Sequence, residues 1–206
     1  MRTSDIICCR DFPCTDTRRE AFAIPMIDID PLHVSIILIS EAAPENPADH
    51  YYAGDGALFA RTTLLAFQEA GARVASIQDV LDLGVYLTTA VKCGKRGYGI
   101  NAETIHNCSE MLEKEISLFP NVKVFLLMGD VAIKAMNRIA KMNGEARVIP
   151  AGSTYKIRGG EFTFRGARAL PSYVQAGPAF FVEKSKRKMI GEDIRKALQI
   201  SRDSSS

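Results

Sequence analysis

Three short apolar runs constrain this chain more than any other feature: residues 34–39, 85–91 and 122–128. Each is strand-sized and rich in β-branched side chains. None alternates cleanly between apolar and polar, which is the pattern of a strand buried on both faces. Helical signals fall between them. Residues 56–70 carry Leu58, Thr62, Leu65 and Glu69 at helical spacing and stop at Gly71, and a short helix over 77–83 stops at Gly84. Asn101 is placed to cap a helix over 102–118, Gly129-Asp130 opens one to residue 142, and another spans 183–200. Strand and helix in alternation predict an α/β three-layer sandwich, with a central, mostly parallel sheet flanked by helices. Residues 154–158 and 161–165 around Gly159-Gly160 read as a hairpin, and residues 168–170 as a last strand. One domain over residues 1–203 is expected, with a frayed tail at 204–206. In such a sheet, ligands bind where loops leave the carboxyl ends of the strands.

Cysteine placement narrows the chemistry. Cys93 ends the second run, and Cys108 lies on the following helix, fourteen residues intervening. Cys8, Cys9 and Cys14 crowd the N-terminus. A lone buried cysteine is usually a small apolar filler. Two pairs of thiols from distant segments are instead what an iron–sulfur cluster or a structural zinc requires. The first ten residues carry charges on both sides of a very short apolar patch, unlike a signal peptide. No apolar run approaches the ~20 residues of a membrane span. A cytoplasmic protein with no membrane partner is expected, in a compartment where clustered cysteines favour metal over disulfides. The net charge of +2 hides an asymmetry: residues 1–122 hold 10 Lys+Arg against 17 Asp+Glu, and residues 123–206 hold 16 against 7. A basic half of this kind is a footprint for nucleic acid.

The frame Thr89-Ala-Val-Lys-Cys93, then Cys108, then Leu126-Leu-Met-Gly129 resembles the uracil-DNA glycosylase superfamily, and within it the iron–sulfur glycosylases of thermophiles. The resemblance runs from residue 36 to about residue 198. It implies that fold, a four-iron cluster or alternatively a zinc on Cys9, Cys14, Cys93 and Cys108, and a monomer acting on DNA that contains a deaminated base. Cys8 competes with Cys9 for the first ligand position. Ser40-Glu-Ala-Ala-Pro-Glu-Asn46 resembles the family's Gly-Glu-Ala-Pro-Gly motif and gives Glu41 the catalytic carboxylate position. Phe59 matches an aromatic that stacks on a flipped base, and Thr89 stands where the family commonly has a base-reading asparagine. Leu170-Pro-Ser-Tyr-Val-Gln-Ala-Gly-Pro178 resembles the family's Pro-Thr-Tyr-His-Pro motif, with Val174 in the place of the histidine that steadies the departing base. Gln175 is the substitute donor to the base. Ser172, Lys184, Lys186, Arg187 and Lys188 are candidate contacts to the DNA backbone. Two functions follow: a DNA glycosylase that excises uracil or a related deaminated base, or a metal-cluster protein on the same fold that binds nucleic acid or a nucleotide without cleaving it.

Overall fold

The computed structural model describes residues 1–54, 56–97 and 99–203; the expected tail at 204–206 lies outside the described residues. Four strands run parallel at the centre of one sheet: β2 (Ile36–Ala43), β3 (Val85–Lys95), β4 (Val124–Met128) and β6 (Ala167–Ser172). Two short antiparallel strands, β1 (Thr17–Arg18) and β5 (Phe162–Phe164), close the edges, in the order β1-β3-β2-β4-β6-β5.

Successive side chains of a strand point to opposite faces, and the apolar runs fill both. Ile36, Leu38, Val85, Leu87, Val124 and Leu126 pack under α1 (Leu58–Glu69), α2 (Ile77–Asp82) and α6 (Lys184–Asp203), against Phe67, Val80, Ile190 and Ile194. Ile37, Ile39, Tyr86, Phe125 and Leu127 pack under α3 (Ala102–Ile116) and α4 (Asp130–Met142), against Leu112, Ile116, Met136 and Ile139. Each such side chain contributes about 1.5–3 kcal/mol by leaving water. This is the three-layer α/β sandwich with a largely parallel sheet that the alternation predicts. Among the described residues no helix is long and apolar enough to cross a membrane.

Two strands outrun their expected ends. β3 continues to Lys95 because β1 pairs with its last residues, Thr17 with Lys95 and Arg18 with Gly94. Gly94 is required there: a Cβ would lie 2.6 Å from the Ala21 Cβ and 2.9 Å from the Pro44 carbonyl oxygen. β2 continues through Glu41 to Ala43, with a shift of register after Ala42. The hairpin is also displaced. Residues Thr154–Ile157 form a short helix, α5, and the turn falls between β5 and β6 at Arg165-Gly166. Both turn residues have positive φ, 49° and 83°, as a two-residue type I′ turn demands.

Asn101 precedes α3, but its side chain makes no capping bond. Asp16 supplies the cap from the N-terminal segment, accepting from the Asn101 N–H at 2.6 Å and the Thr104 hydroxyl at 2.5 Å. Burial pushes the Asp16 carboxyl up, but these hydrogen bonds outweigh it and hold the group below its ordinary value. Asp16→Ala is expected to cost about 1 kcal/mol, or about 2–4 °C in Tm. A depressed carboxyl stabilises above its unfolded pKa and loses that contribution as pH falls through the folded value. Thermal melts of wild type and variant should therefore converge below pH ~4.

Candidate active site

The carboxyl ends of the parallel strands lie level. Register sets Ser40 beside Thr89 and Met128 beside Ser172. A cleft of about 850 Å³ opens over this edge, lined among others by Ser40, Glu41, Phe59, Lys95, Val174 and Gly177. Glu41 leaves β2 toward the start of α4, where its Oε1 lies 3.5 Å from the Val131 N–H. A helix N-terminus favours an anion at that place. Gly129 makes the approach feasible. It has φ 102°, and a Cβ on it would lie 2.5 Å from the Val174 Cγ2 and 2.7 Å from the Glu41 Oε1. Phe59 is half-buried on α1, its ring 5.4 Å from that of Tyr51. Lys95 brings its Nζ to 3.6 Å from the Glu41 Oε2, and Arg18 pairs with Glu45 at 2.8 Å at the exposed rim.

The structure thus brings Glu41, Phe59 and Val174 to one cavity. It places other candidates elsewhere. Thr89 is buried, and its hydroxyl donates to the Val91 carbonyl at 2.9 Å. Gln175 is fully buried: its Oε1 accepts from the Ser40 hydroxyl at 3.0 Å, and its amide donates to the Tyr51 hydroxyl at 3.0 Å and Thr63 at 3.4 Å. Neither lines the cleft, so the base-reading edge expected of them is turned inward. Gln175 instead ties β2 to the loop after β6 through Ser40, while Thr89 closes onto its own strand. Ser172, expected on the DNA backbone, is fully buried and donates to Asp193 at 2.6 Å, with Arg158 on the same carboxylate. With no exposed surface, the Ser172 hydroxyl has no path to solvent. Among the basic residues, Lys184 and Lys188 are exposed. Lys186 pairs with Glu183 at 2.7 Å and Arg187 with Glu69.

Sequence reasoning missed Lys95 and Tyr51. The strand extension that presents Lys95 depends on pairing with β1, a contact no local pattern announces. Tyr51 is buried beside the cleft, where its hydroxyl accepts from the Gln175 amide, and the aromatic pair Tyr51-Tyr52 was the signal for it.

A second cavity, of about 580 Å³, lies on the other side of the β3 end. All five cysteines line it, with Cys93 and Cys108 buried, Cys9 and Cys14 half-buried and Cys8 exposed. Burial pushes the Cys93 thiol up to about 12, and the thiols of Cys108, Cys9 and Cys14 push it the same way. Burial raises Cys108 to about 11, opposed by a hydrogen bond from the Lys92 N–H. Thiolates at these positions demand a compensating cation. Among the described residues no three cysteine, histidine or acidic side chains converge closely enough to hold one metal ion.

Between the two cavities sits a fully buried ion pair, Lys92 with Glu115. Glu115 accepts from the Tyr86 hydroxyl at 2.7 Å and the Thr88 hydroxyl at 2.9 Å. Lys92 Nζ donates to the Thr88 hydroxyl at 2.8 Å and the Thr89 carbonyl at 2.6 Å. Every polar atom of the pair is therefore matched, the condition for burying charge at tolerable cost.

The type-5 uracil-DNA glycosylase of Thermus thermophilus is 31% identical to this chain over 94 residues, a match that spans 46% of this chain and 43% of that protein. Residues 27–191 match the profile of the Uracil DNA glycosylase superfamily. That stretch holds the four parallel strands, the cleft at their carboxyl ends and the carboxylate seated on α4, and this chain belongs to that superfamily.

Proposed function

We propose that this protein is a DNA glycosylase that excises uracil or a related deaminated base by hydrolysing its bond to deoxyribose. The observation that carries this reading is the Glu41 carboxylate, held at the N-terminus of α4 inside a cleft with the Phe59 ring on its wall. As the glycosidic bond lengthens, the sugar gains positive charge, and a fixed carboxylate stabilises that charge or orients the attacking water. An aromatic face holds a flipped base by stacking, worth ~1–3 kcal/mol. The target nucleotide must leave the duplex to reach such a cleft. Lys184 and Lys188 offer phosphate contacts, and the exposed Phe181 and Val182 stand where the chain passes from the cleft to α6. The protein acts as a single domain, a cytoplasmic monomer.

A second reading, a binding protein that cleaves nothing, draws support from Val174 on the cleft wall and from the inward-turned amide of Gln175. Duplex and single-stranded oligonucleotides carrying uracil, hypoxanthine or xanthine, followed by alkaline cleavage of abasic sites, separate the two. Strand cleavage with at least one base is expected. Binding without cleavage across the whole panel would favour the second reading.

The same proposal gives the protein a four-iron cluster on Cys9, Cys14, Cys93 and Cys108, a structural group that takes no part in the hydrolysis. The donor set is soft and lines one cavity, as such a cluster needs. Protein purified without air should be coloured and contain iron. Cys9→Ser should lose iron and visible absorption while Cys8→Ser keeps both. A colourless protein with stoichiometric zinc would make the site a zinc site.

A further inference from the structure

If the proposed glycosylase reaction holds, the electron pair of the breaking C1′–N bond must go to the base, and the cleft must contain something to receive it. The loop after β6 offers no free side-chain donor: Val174 is apolar, and Gln175 has spent its amide on Tyr51, Thr63 and Ser40. The cationic side chains lining the cleft among the described residues are Arg18 and Lys95. Arg18 is held at the rim by Glu45 at 2.8 Å, with both side chains about half exposed. Lys95 is different. It lies deeper, 29% exposed, and its Nζ is 3.6 Å from the Glu41 Oε2, too far for a hydrogen bond. Among the described residues its ammonium makes no hydrogen bond, so its N–H groups remain available. Its four-carbon stem allows the head to swing across the cleft.

We propose that Lys95 is a catalytic residue, whose ammonium stabilises the departing base from the β3 side of the cleft. In the step, the C1′–N bond breaks and its electrons pass to the base. Water adds to C1′, and its proton passes to Glu41 and on to solvent. The base leaves as an anion paired with the Lys95 ammonium and takes a proton from solvent. Opposite charges 3.6 Å apart then serve opposite ends of one breaking bond: the carboxylate faces the sugar that becomes positive, the ammonium the base that becomes negative. Charges so placed act where charge develops.

The test compares two leaving groups. Single-turnover rates are measured on duplexes carrying uracil or 5-fluorouracil, whose anion is intrinsically more stable. Lys95→Gln is expected to slow uracil excision about 100-fold, the scale of losing one charge-stabilising donor. It should slow 5-fluorouracil excision about tenfold or less, because a better leaving group needs less help. The ratio of the two rates then rises about tenfold. Lys95→Met should behave in the same way, and Lys95→Arg should keep the wild-type ratio. Equal slowing of both bases, or no slowing of either, would overturn the role. Failure of wild type to excise any base would overturn the glycosylase reading and this role with it, and the wild-type arm alone reads that outcome. Melting curves of the two uncharged variants, expected close to wild type for a partly exposed side chain, separate lost chemistry from lost fold.

Discussion

Lys92→Met is expected to destabilise the protein by about 3–5 kcal/mol, the scale of breaking a buried ion pair. The substitution keeps much of the side-chain volume, so the loss comes from Glu115, which stays fully buried without its cation. Tyr86 and Thr88 still donate to its carboxylate, but two neutral hydroxyls do not offset a full charge. The double variant Lys92→Met/Glu115→Leu should recover most of the loss, since apolar replacement of such a pair is often neutral or favourable. Denaturant midpoints at constant m-value measure both. A single-variant loss under about 1 kcal/mol would mean the pair behaves as a solvated surface bridge. The pair also bears on the thiol pocket, through the Lys92 N–H on Cys108, and on the stretch of β3 beside Ser40, through the Thr89 carbonyl. The variant should therefore loosen the cleft edge and the thiol pocket together, in the same segments of a hydrogen-exchange map.

Glu41→Gln should lower the rate of base excision by about 100- to 1000-fold, as loss of a group acting on developing charge does. DNA affinity should change little, because the sugar bears no charge before the bond begins to break. Glutamine is nearly isosteric, and loss of the anion at the α4 N-terminus removes only about 0.3–1 kcal/mol. Single-turnover kinetics beside equilibrium binding reads the split directly. A variant with full activity would remove Glu41 from the reaction.

The central architecture was legible because it rests on local signals. The short, largely apolar runs at residues 34–39 and 122–128 are strand-sized and read as strands covered on both sides, and Gly71, Gly84 and Gly144 mark helix or loop ends through left-handed backbone. All five cysteines line one cavity, where the sequence grouped Cys93 and Cys108 with Cys14 and one of the pair Cys8 and Cys9. What failed depended on partners distant in sequence. Glycine pairs attract a hairpin reading, yet the turn fell on Arg165-Gly166, where β5 meets β6. Residue type named Thr89, Ser172 and Gln175 as polar contacts for a ligand. Burial turned each of them to hold protein together: Thr89 onto its own strand, and Gln175 and Ser172 onto α1 and α6, which only the packing of those helices on the sheet decides. The matching of Lys92 to Glu115 bridges 23 residues and carries no motif.

The docking of β1 has a consequence for how the chain is made. Asp16 caps a helix whose Asn101 lies 85 residues later, and Thr17 and Arg18 pair with residues at the very end of β3. At ribosomal speeds of about 5–20 residues per second, the N-terminal segment waits roughly 4–17 s for those partners to be synthesised. Through that interval Cys8, Cys9 and Cys14 are presented on an unanchored strand-edge segment, open to oxidants and to stray metal. Parallel pairing of β2 with β3 requires a long crossover to close first, so the return of the chain's beginning onto its middle follows that pairing.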